Sequence, residues 1–313
     1  MIIEVSAKDY RQHFCSDPHP FISEHFLELN KWKVEKLVRL ISDRDKVSVG
    51  LVAGIENNML LAPFSAPFGG FHYKNEHVFI SEVEHFLEEL EQYAKSQRLN
   101  KIFLSLPPII YQKSFNSKAV NTLIRLGFEM LIPDITCWVD LSQYNCRFSY
   151  KMCRNNQNTA IRNKLTFNIL TNLEDKMTAY ETICDNRKQF NRKINMTFEE
   201  VMRTNDLWPI DFFGINDSEG NMVASAIFYQ FPNNVAYGVF WGDNATGRSL
   251  KSMDFLSFNL WNHYKSLDYK FIDLSASTKF GIPNESLLRF KEIHECNCSL
   301  RFNFSLCIAN SES

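Results

Sequence analysis

The feature of this sequence that most constrains its fold is an order of secondary-structure elements that occurs twice. The first half predicts a β-hairpin, a helix, a strand, a helix and a strand, and the second half predicts the same series. The segment IRLGFEM in the first half has a counterpart, LRFKEIH, at the same relative place in the second. A period of about 150 residues is far longer than solenoid repeats of about 20 to 50 residues. The sequence therefore predicts two domains of one fold, at 1–145 and 146–313, with a basic connector in the second.

The helix expected over residues 81–97 shows the kind of pattern on which these assignments rest. Ser81 and Glu84 have the spacing of a capping box at its start. Apolar residues recur along one face at helical spacing, namely Val83, Phe86, Leu87, Leu90 and Ala94. Because such helices alternate with strands and hairpins, we expect an α/β protein with a mixed sheet in each domain.

Composition and charge exclude several classes of function. The formal net charge of −2 lacks the positive excess that dominates most DNA binding, so we expect no DNA partner and only local contacts with RNA. No apolar run approaches the roughly 20 residues that cross a bilayer, and the first residues lack the pattern of a signal peptide. We therefore expect a cytoplasmic protein without a membrane span. The sequence leaves its oligomeric state open.

The eight cysteines do not form the paired C-x2-C blocks that tetrahedral zinc sites use. Cys296 and Cys298 are the nearest pair, and their spacing of one residue suits one face of a strand. His85, His263 and His294 show no ligand spacing either. We expect reduced cysteines, no metal cofactor and no functional role for these three histidines.

Three short segments give the sequence a resemblance to a known family. They are SAPFGGF at 65–71, FIDL at 271–274 and LRFK at 288–291. In their order and spacing they resemble the tandem acetyltransferase-like proteins related to the Fem peptidyltransferases. The resemblance covers nearly the whole chain and implies two domains of the GNAT fold, the fold of acyl-CoA N-acyltransferases.

The resemblance also implies the transfer of an acyl or aminoacyl group to an amine. The expected acceptor is a sugar nucleotide, a peptide or a precursor of the cell wall or a polysaccharide. Acyl-CoA is one donor compatible with the pattern. Aminoacyl-tRNA is less favoured, because the net charge is near neutral and no paired-helix arm of about 40 residues is present. A non-catalytic binding protein that keeps the fold is the alternative from another class.

Two residues are the candidates for catalysis, Asp273 and Lys291. Asp273 lies near the end of an apolar strand, where a carboxylate is costly unless it is paired or functional, and it could orient or deprotonate the amine. Its alternative role is to cap the next turn through Ser275 or Ser277. Lys291 could bind a phosphate or the developing oxyanion, and its alternative is a solvated surface lysine.

A loop in the second half is the candidate for binding the acyl donor. Gly247, Arg248 and Ser249 stand at a predicted helix start, where free N–H groups and the helix dipole favour an anion. Simpler acetyltransferases have a Gln or Arg and two nearby glycines at this place. This segment has one glycine and one arginine. That departure favours the non-catalytic alternative.

Two further groups are candidates for binding the acceptor. The segment at 65–71 offers backbone N–H groups and apolar walls, or else forms a structural turn with phenylalanines in the core; its candidates are Ser65, Phe68, Gly69, Gly70 and Phe71. The basic run at 187–193, with Arg187 and Lys193 at its ends, could meet phosphates or be a solvated face. We expect the segments around positions 70, 248, 273 and 291 to converge on one cleft.

Overall fold

A computed structural model describes residues 1–112 and 114–308 of the chain. Its residues form two compact units. Among the described residues, the first unit consists of Met1–Ile135, Thr278–Ile282 and residues 299–308, and the second of Thr136–Ser277 and Pro283–Cys298. The boundaries of these compact units differ from the expected domain boundary at 145/146. The division into two separately folding domains, 1–145 and 146–313, stays a prediction.

The described residues form strands that are numbered here in chain order. They are β1 Ile2–Glu4, β2 Lys36–Ser42, β3 Val49–Glu56, β4 Met59–Ala62, β5 Phe71–Tyr73, β6 Lys101–Ser105, β7 Glu129–Met130, β8 Asp134–Asp140, β9 Thr166–Ile169, β10 Ile210–Asn216, β11 Met222–Phe231, β12 Val235–Asp243, β13 Phe271–Ala276, β14 Thr278–Lys279, β15 Ile282–Pro283, β16 Asn297–Arg301 and β17 Asn303–Cys307.

The helices are numbered in the same way, and short 3-10 turns occur at Pro20–Ile22, Lys31–Lys33 and Thr204–Asp206. The helices are α1 Ala7–His13, α2 Glu24–Asn30, α3 Ile80–Ser96, α4 Ser114–Arg125, α5 Lys151–Arg162, α6 Leu173–Gln189, α7 Phe198–Arg203, α8 Ala245–Leu250, α9 Ser252–Ser266 and α10 Glu285–Ile293. In the part of the chain that the structure describes, no helix combines the length and apolarity that a membrane span requires.

The sheet of the first unit has the strand order β1-β2-β3-β4-β6-β17-β7, and β5 pairs with β3. The expected hairpin is present, since Asn57 and Asn58 both have positive φ and turn β3 back onto β4. Helix α3 lies against this sheet with its predicted apolar face buried. Its predicted capping box is wrong: the helix begins earlier, and Glu82 rather than Glu84 accepts a hydrogen bond from the N-cap Phe79 N–H at 3.0 Å.

The sheet of the second unit has the order β16-β8-β13-β12-β11-β10-β9. Strands β10 and β11 form the expected hairpin, and Gly220, with φ of 90°, lies in its turn. Strands β12 and β13 are parallel neighbours, with Tyr237 paired to Asp273. Helix α9 packs on this sheet through fully buried aromatic side chains, among them Trp261 and Tyr264.

Two strands pair differently from the simple duplication that the sequence predicts. Strand β8 was expected in the first half, but it pairs with β13 of the second sheet. Strand β17 was expected in the second half, but it lies between β6 and β7 of the first sheet. Apolar alternation identifies a strand and its buried face without specifying its partner, because any sheet with a matching face can bury it. The fold class itself, an α/β protein with mixed sheets, is as expected.

Candidate functional site

A cavity of about 430 Å³ lies within the second unit. Its lining comes from α5, α6, the end of β12, α8, α9 and α10 and the segments beside them. Three aromatic side chains contribute, namely Phe190, Trp241 and Phe290, and the charged side chains are Arg187, Arg192, Asp243, Arg248, Lys251 and Asp254. A wall with both signs of charge and apolar faces suits a ligand that has ionic groups and a flat or acyl part.

Asp243, the last residue of β12, is the most strongly perturbed carboxyl of this cavity. It is 6% exposed, and its Oδ1 accepts a hydrogen bond from Arg248 Nη1 at 3.0 Å. Burial raises the pKa of Asp243 to about 6, against the opposing effect of Arg248, and the negative charge of Asp254 contributes to the rise. A carboxyl that changes protonation this close to neutral pH can act as a general base or acid.

The end of β12 is held in place by a close approach of α6. A Cβ added to Gly242 would lie 2.7 Å from Asn186 Cγ, so only glycine leaves room for the asparagine. Asn186 Nδ2 donates a hydrogen bond to the main-chain oxygen of Asp243 at 2.7 Å. This contact fixes the strand end from which the Asp243 carboxyl extends.

The predicted donor-binding residues Gly247 and Ser249 make local contacts in α8. The N–H of Gly247 donates to Asn244 Oδ1 at 2.8 Å, which is an N-cap bond. A Cβ at Gly247 would lie 2.3 Å from the Val223 oxygen, so the glycine permits α8 to pack on β11. Ser249 Oγ donates to Thr246 O at 2.8 Å. The donor-binding role of these two residues stays a prediction.

The remaining basic candidates separate into two groups. Arg248 and Arg187 line the cavity, and the Arg248 guanidinium lies 5.4 Å from the centre of the Phe190 ring. Burial, with a contribution from the positive charge of Arg192, lowers the pKa of Arg187, which still leaves a guanidinium charged at neutral pH. Lys193 is exposed and is not among the lining residues.

A second carboxyl of the cavity, Asp254, is paired with a buried histidine. His294 Nε2 lies 3.1 Å from Asp254 Oδ1, and His294 Nδ1 lies 2.6 Å from the oxygen of Phe290. Asn156 Nδ2 donates to the same Oδ1 at 3.1 Å. No spacing in the sequence points to Asp254, Asn156 or His294, because these residues come from distant segments.

Cys153 completes a group of three possible metal ligands with Asp254 and His294, whose ligand atoms all lie within 4.8 Å of one another. The Cys153 thiol donates to Ile293 O at 3.3 Å, and burial raises the pKa of this thiol to about 12. Because a metal binds the thiolate, it would have to displace this proton at neutral pH. The contacts present are those of a hydrogen-bonded cluster.

The two predicted catalytic residues lie near one another in the second unit. Lys291 is 1% exposed, and its Nζ donates to Leu274 O at 2.7 Å and to Ser275 O at 3.1 Å. Burial lowers the pKa of Lys291, although the nearby Asp273 works against that change. Asp273 Oδ1 accepts from Ser275 N at 2.7 Å, which is the bond of an aspartate that caps the following turn. Their catalytic roles stay a prediction.

The segment at 65–71 forms part of the first unit. Phe68 and Phe71 are 2% and 1% exposed, so these two rings fill the core of the unit. The N–H of Gly69 donates to Ser105 O at 2.8 Å. Gly70 has φ of 107°, a conformation that favours glycine. Ser65 Oγ donates to Asn30 Oδ1 at 2.9 Å.

Among the described residues, the cavity therefore gathers only part of the predicted site. Arg187 and Arg248 line it, whereas Gly247, Ser249, Asp273, Lys291 and Lys193 do not. The carboxyls that do line it, Asp243 and Asp254, were not singled out from the sequence. The one available signal was Asp243 itself, a carboxyl at the end of an apolar strand directly before an Asn N-cap.

Comparison with solved structures identifies the fold. FemX matches with a TM-score of 0.67 and 11% identity over 99% of this chain and 98% of its own. L-PGS from Bacillus licheniformis matches with a TM-score of 0.59 and 10% identity, over 98% and 91%. A tandem GNAT protein from the clavulanic acid biosynthesis pathway matches with a TM-score of 0.53 and 8% identity, over 88% and 84%.

No family model matches the sequence, and comparison with curated proteins finds no match. The structural likeness is nevertheless extensive, since these proteins match along nearly the whole chain. The chain has the tandem GNAT fold shared with FemX, as the resemblance implied. At identities near one in ten, this likeness establishes the fold and leaves the chemistry to the residues of the site.

Proposed function

We propose that this protein is an N-acyltransferase whose second unit deprotonates an amine in the cavity at Asp243. The observation that carries the proposal is the place of that carboxyl, which is buried beside Arg248 in a cavity with cationic and aromatic walls. Burial there raises the pKa of Asp243 to about 6. The acceptor is an amine of a sugar nucleotide, a peptide or a cell-wall or polysaccharide precursor. The GNAT fold supports this reaction by analogy.

The proposed reaction requires one proton transfer before the acyl group moves. An alkylammonium ion gives its proton to the Asp243 carboxylate, and the free amine attacks the carbonyl carbon of the donor. The bond to the leaving thiolate or ribose oxygen then breaks, and the attacking nitrogen gives up a second proton, which the leaving group takes up. A carboxyl with a pKa of about 6 is largely ionised at neutral pH and can accept a proton from a positioned amine.

The cationic side of the cavity suits an anionic donor. Arg187, Arg192 and Arg248 can hold phosphate groups, and guanidinium groups do so through paired N–H bonds. Acyl-CoA would place its phosphates there and supply an activated thioester. The proposed donor-binding role of Gly247 and Ser249, and the acceptor-binding role of residues 65–71 and Lys193, remain proposals from the sequence.

The proposal is tested by mass spectrometry of the full chain with acetyl-CoA and a panel of amino sugars, nucleotide-linked amines and peptides. We expect an N-acylated product, with a loss of about 10²- to 10⁴-fold in the Asp243→Asn variant because the base is removed. Asp185→Asn is the matched control, since this α6 carboxyl is exposed and pairs with Lys188. Both variants should fold, which a single cooperative unfolding transition at pH about 7 checks.

Two results would count against the proposal. If Asp243→Asn forms product as fast as the wild type, Asp243 is not the base. If neither acyl-CoA nor aminoacyl-tRNA yields a product with any amine, the non-catalytic binding protein becomes the better interpretation. A melting temperature that rises with CoA while no product forms would identify that binding function directly.

A second donor, aminoacyl-tRNA, is favoured by a basic depression in the second unit. Arg147, Lys151 and Arg154 line it together with Asn and Gln side chains of α5. Binding of tRNA to these residues should weaken steeply with salt, because each neutralised phosphate releases counterions. Retention of tRNA that is independent of ionic strength, or no binding at low salt, would remove this alternative.

A further inference from the structure

Three side chains of the types that bind zinc meet at the wall of the cavity in the second unit. They are Cys153 of α5, Asp254 of α9 and His294 at the end of α10, and their ligand atoms all lie within 4.8 Å of one another. Among residues 1–112 and 114–308, this is the one group of three such side chains that converges, and all three are buried. The expectation of no metal cofactor rested on sequence spacing, which does not test a group drawn from distant segments.

The ring of His294 is oriented as a metal ligand requires. Its Nδ1 lies 2.6 Å from the carbonyl oxygen of Phe290, which only accepts, so Nδ1 is the donor. Ligating histidines usually have such a second contact, because it fixes the ring and leaves the other nitrogen for the metal. That nitrogen, Nε2, lies 3.1 Å from Asp254 Oδ1. Two ligand atoms about 2.0 to 2.2 Å from a tetrahedral zinc ion lie about 3.3 to 3.6 Å apart, so a small shift of either side chain admits the ion.

The charges of the ligands match those of a zinc ion. A Cys153 thiolate and an Asp254 carboxylate together carry two negative charges, so zinc bound to them forms a neutral group. This neutrality matters because the cavity has cationic side chains, which disfavour a further positive charge. They are Arg187, Arg192, Arg248 and Lys251.

The proton on the Cys153 thiol opposes binding. Burial, together with the charges of Asp254 and Glu295, raises the pKa of this thiol to about 12, and Arg154 acts in the opposite direction. A divalent ion about 2.3 Å from the sulfur favours the thiolate more strongly than these groups disfavour it, because a coordinating thiol is deprotonated outright. When the zinc–sulfur bond forms, the thiol proton passes to solvent and the hydrogen bond to Ile293 O is lost.

We propose that Cys153, Asp254 and His294 form a zinc site that joins α5, α9 and α10 at the wall of the cavity. Three protein ligands leave the fourth position of the ion to a water molecule. The amide of Asn156, whose Nδ2 lies 3.1 Å from Asp254 Oδ1, can hydrogen-bond that water. Zinc on Oδ1 leaves Asp254 Oδ2 as an acceptor. This site does not depend on the proposed transfer reaction.

Zinc binding is measured on the full chain, after removal of metal with EDTA, by titration with zinc sulfate. We expect one zinc ion per chain and a melting temperature that rises by several degrees, because the ion binds the folded chain. Cys153→Ser should lower the affinity by more than about 100-fold, since even residues behind the ligands change it by about 10- to 100-fold. Cys298→Ser is the matched control and should bind zinc as the wild type does, because it removes a thiol from a second close pair, 3.8 Å from Cys137 Sγ.

Cobalt(II) in place of zinc identifies the ligands, because a cobalt–thiolate bond gives an absorption band that zinc lacks. We expect this band in the wild type and in Cys298→Ser, its loss in Cys153→Ser and a weaker band in His294→Gln. A single cooperative unfolding transition of each variant checks that it folds. No zinc bound at micromolar concentrations, or zinc lost in Cys298→Ser and kept in Cys153→Ser, would overturn the proposal. Because no readout requires turnover, these outcomes are separate from failure of the transferase proposal.

Discussion

Each unit of this protein buries a histidine beside an aspartate, but the two pairs differ in what faces the other ring nitrogen. In the first unit, His72 Nε2 lies 2.9 Å from Asp17 Oδ1, and Nδ1 lies 3.0 Å from the hydroxyl of Tyr10. A hydroxyl can donate, so His72 satisfies both contacts as a neutral ring. In the second unit, the corresponding partner of His294 is the carbonyl of Phe290, which only accepts, so Nδ1 of His294 is the donor.

The carboxyls of the two regions differ as well. Asp17 is held by Arg11 through two bonds of 2.8 and 3.0 Å. Burial would raise the pKa of Asp17, but His72 and Arg11 together hold it below its usual value. In the second unit, burial raises the pKa of Asp243 to about 6. Arg248 also pairs with Asp243, but there burial outweighs the ion pair, whereas at Asp17 the ion pair and the histidine outweigh burial. A cavity carboxyl with a raised pKa is available for chemistry, and a carboxyl with a lowered pKa stabilises the fold.

The largest expected effect is on stability, which should depend on pH in opposite directions through Asp243 and through Asp17. The pKa of Asp243 is higher in the folded chain than in the unfolded one, so its contribution to stability declines as pH rises from about 4 to about 6, by up to about 3 kcal/mol. Asp17 has a lowered pKa, so its contribution is present above about pH 4 and is lost as pH falls further.

Urea unfolding of the wild type, Asp243→Asn and Asp17→Asn across this pH range measures the two contributions. Relative to the wild type, Asp243→Asn should gain stability as pH rises from about 4 to about 6. Asp17→Asn should gain stability relative to the wild type as pH falls below about 4. The same direction for both variants would show that the two carboxyls are not in opposite environments.

A smaller effect is expected on transfer itself. Asp254→Asn should lower kcat/KM for the amine by about 10- to 100-fold, mainly through KM, because a hydrogen bond between this cavity carboxyl and the charged acceptor contributes roughly 1.5–3 kcal/mol. Asp17→Asn should leave kcat/KM of the folded protein unchanged, since this carboxyl is paired with Arg11 and His72. Equal losses in both variants would remove the distinction between a structural and a functional pair.

The smallest effect concerns the hydroxyl that keeps His72 neutral. Tyr10→Phe removes the donor to Nδ1 and should destabilise the protein by about 1 kcal/mol, because a buried acceptor loses its partner. Thermal unfolding measures the loss, with the exposed Tyr150→Phe as control. No destabilisation beyond that control would show that the hydroxyl does not set the state of His72.

Much of the fold could be predicted from local pattern. The apolar spacing of α3 and the Asn57-Asn58 turn identify their elements because they depend on neighbouring residues alone. The exchange of β8 and β17 could not be predicted in this way. Pairing depends on which sheet offers a vacant edge, and no residue within either strand encodes that choice.

The site was harder to predict than the fold. Asp243, Asp254 and His294 come from a strand end, a helix start and a helix end. Only the packing of those elements brings the two carboxyls to one cavity and His294 beside Asp254. The basic run at 187–193 can be recognised from the sequence because four of its seven residues are basic. The pKa of Asp243 depends on burial, which a residue's type does not reveal.

The place of β17 in the first sheet has a consequence for synthesis of the chain. Strand β6 leaves the ribosome early, yet its neighbour at residues 303–307 follows only after the whole second unit. Until then β6 exposes an unpaired edge, and such edges promote association between chains. The second unit also includes Pro283–Cys298, so both units are completed late in synthesis, and β6 has its final neighbour last of all.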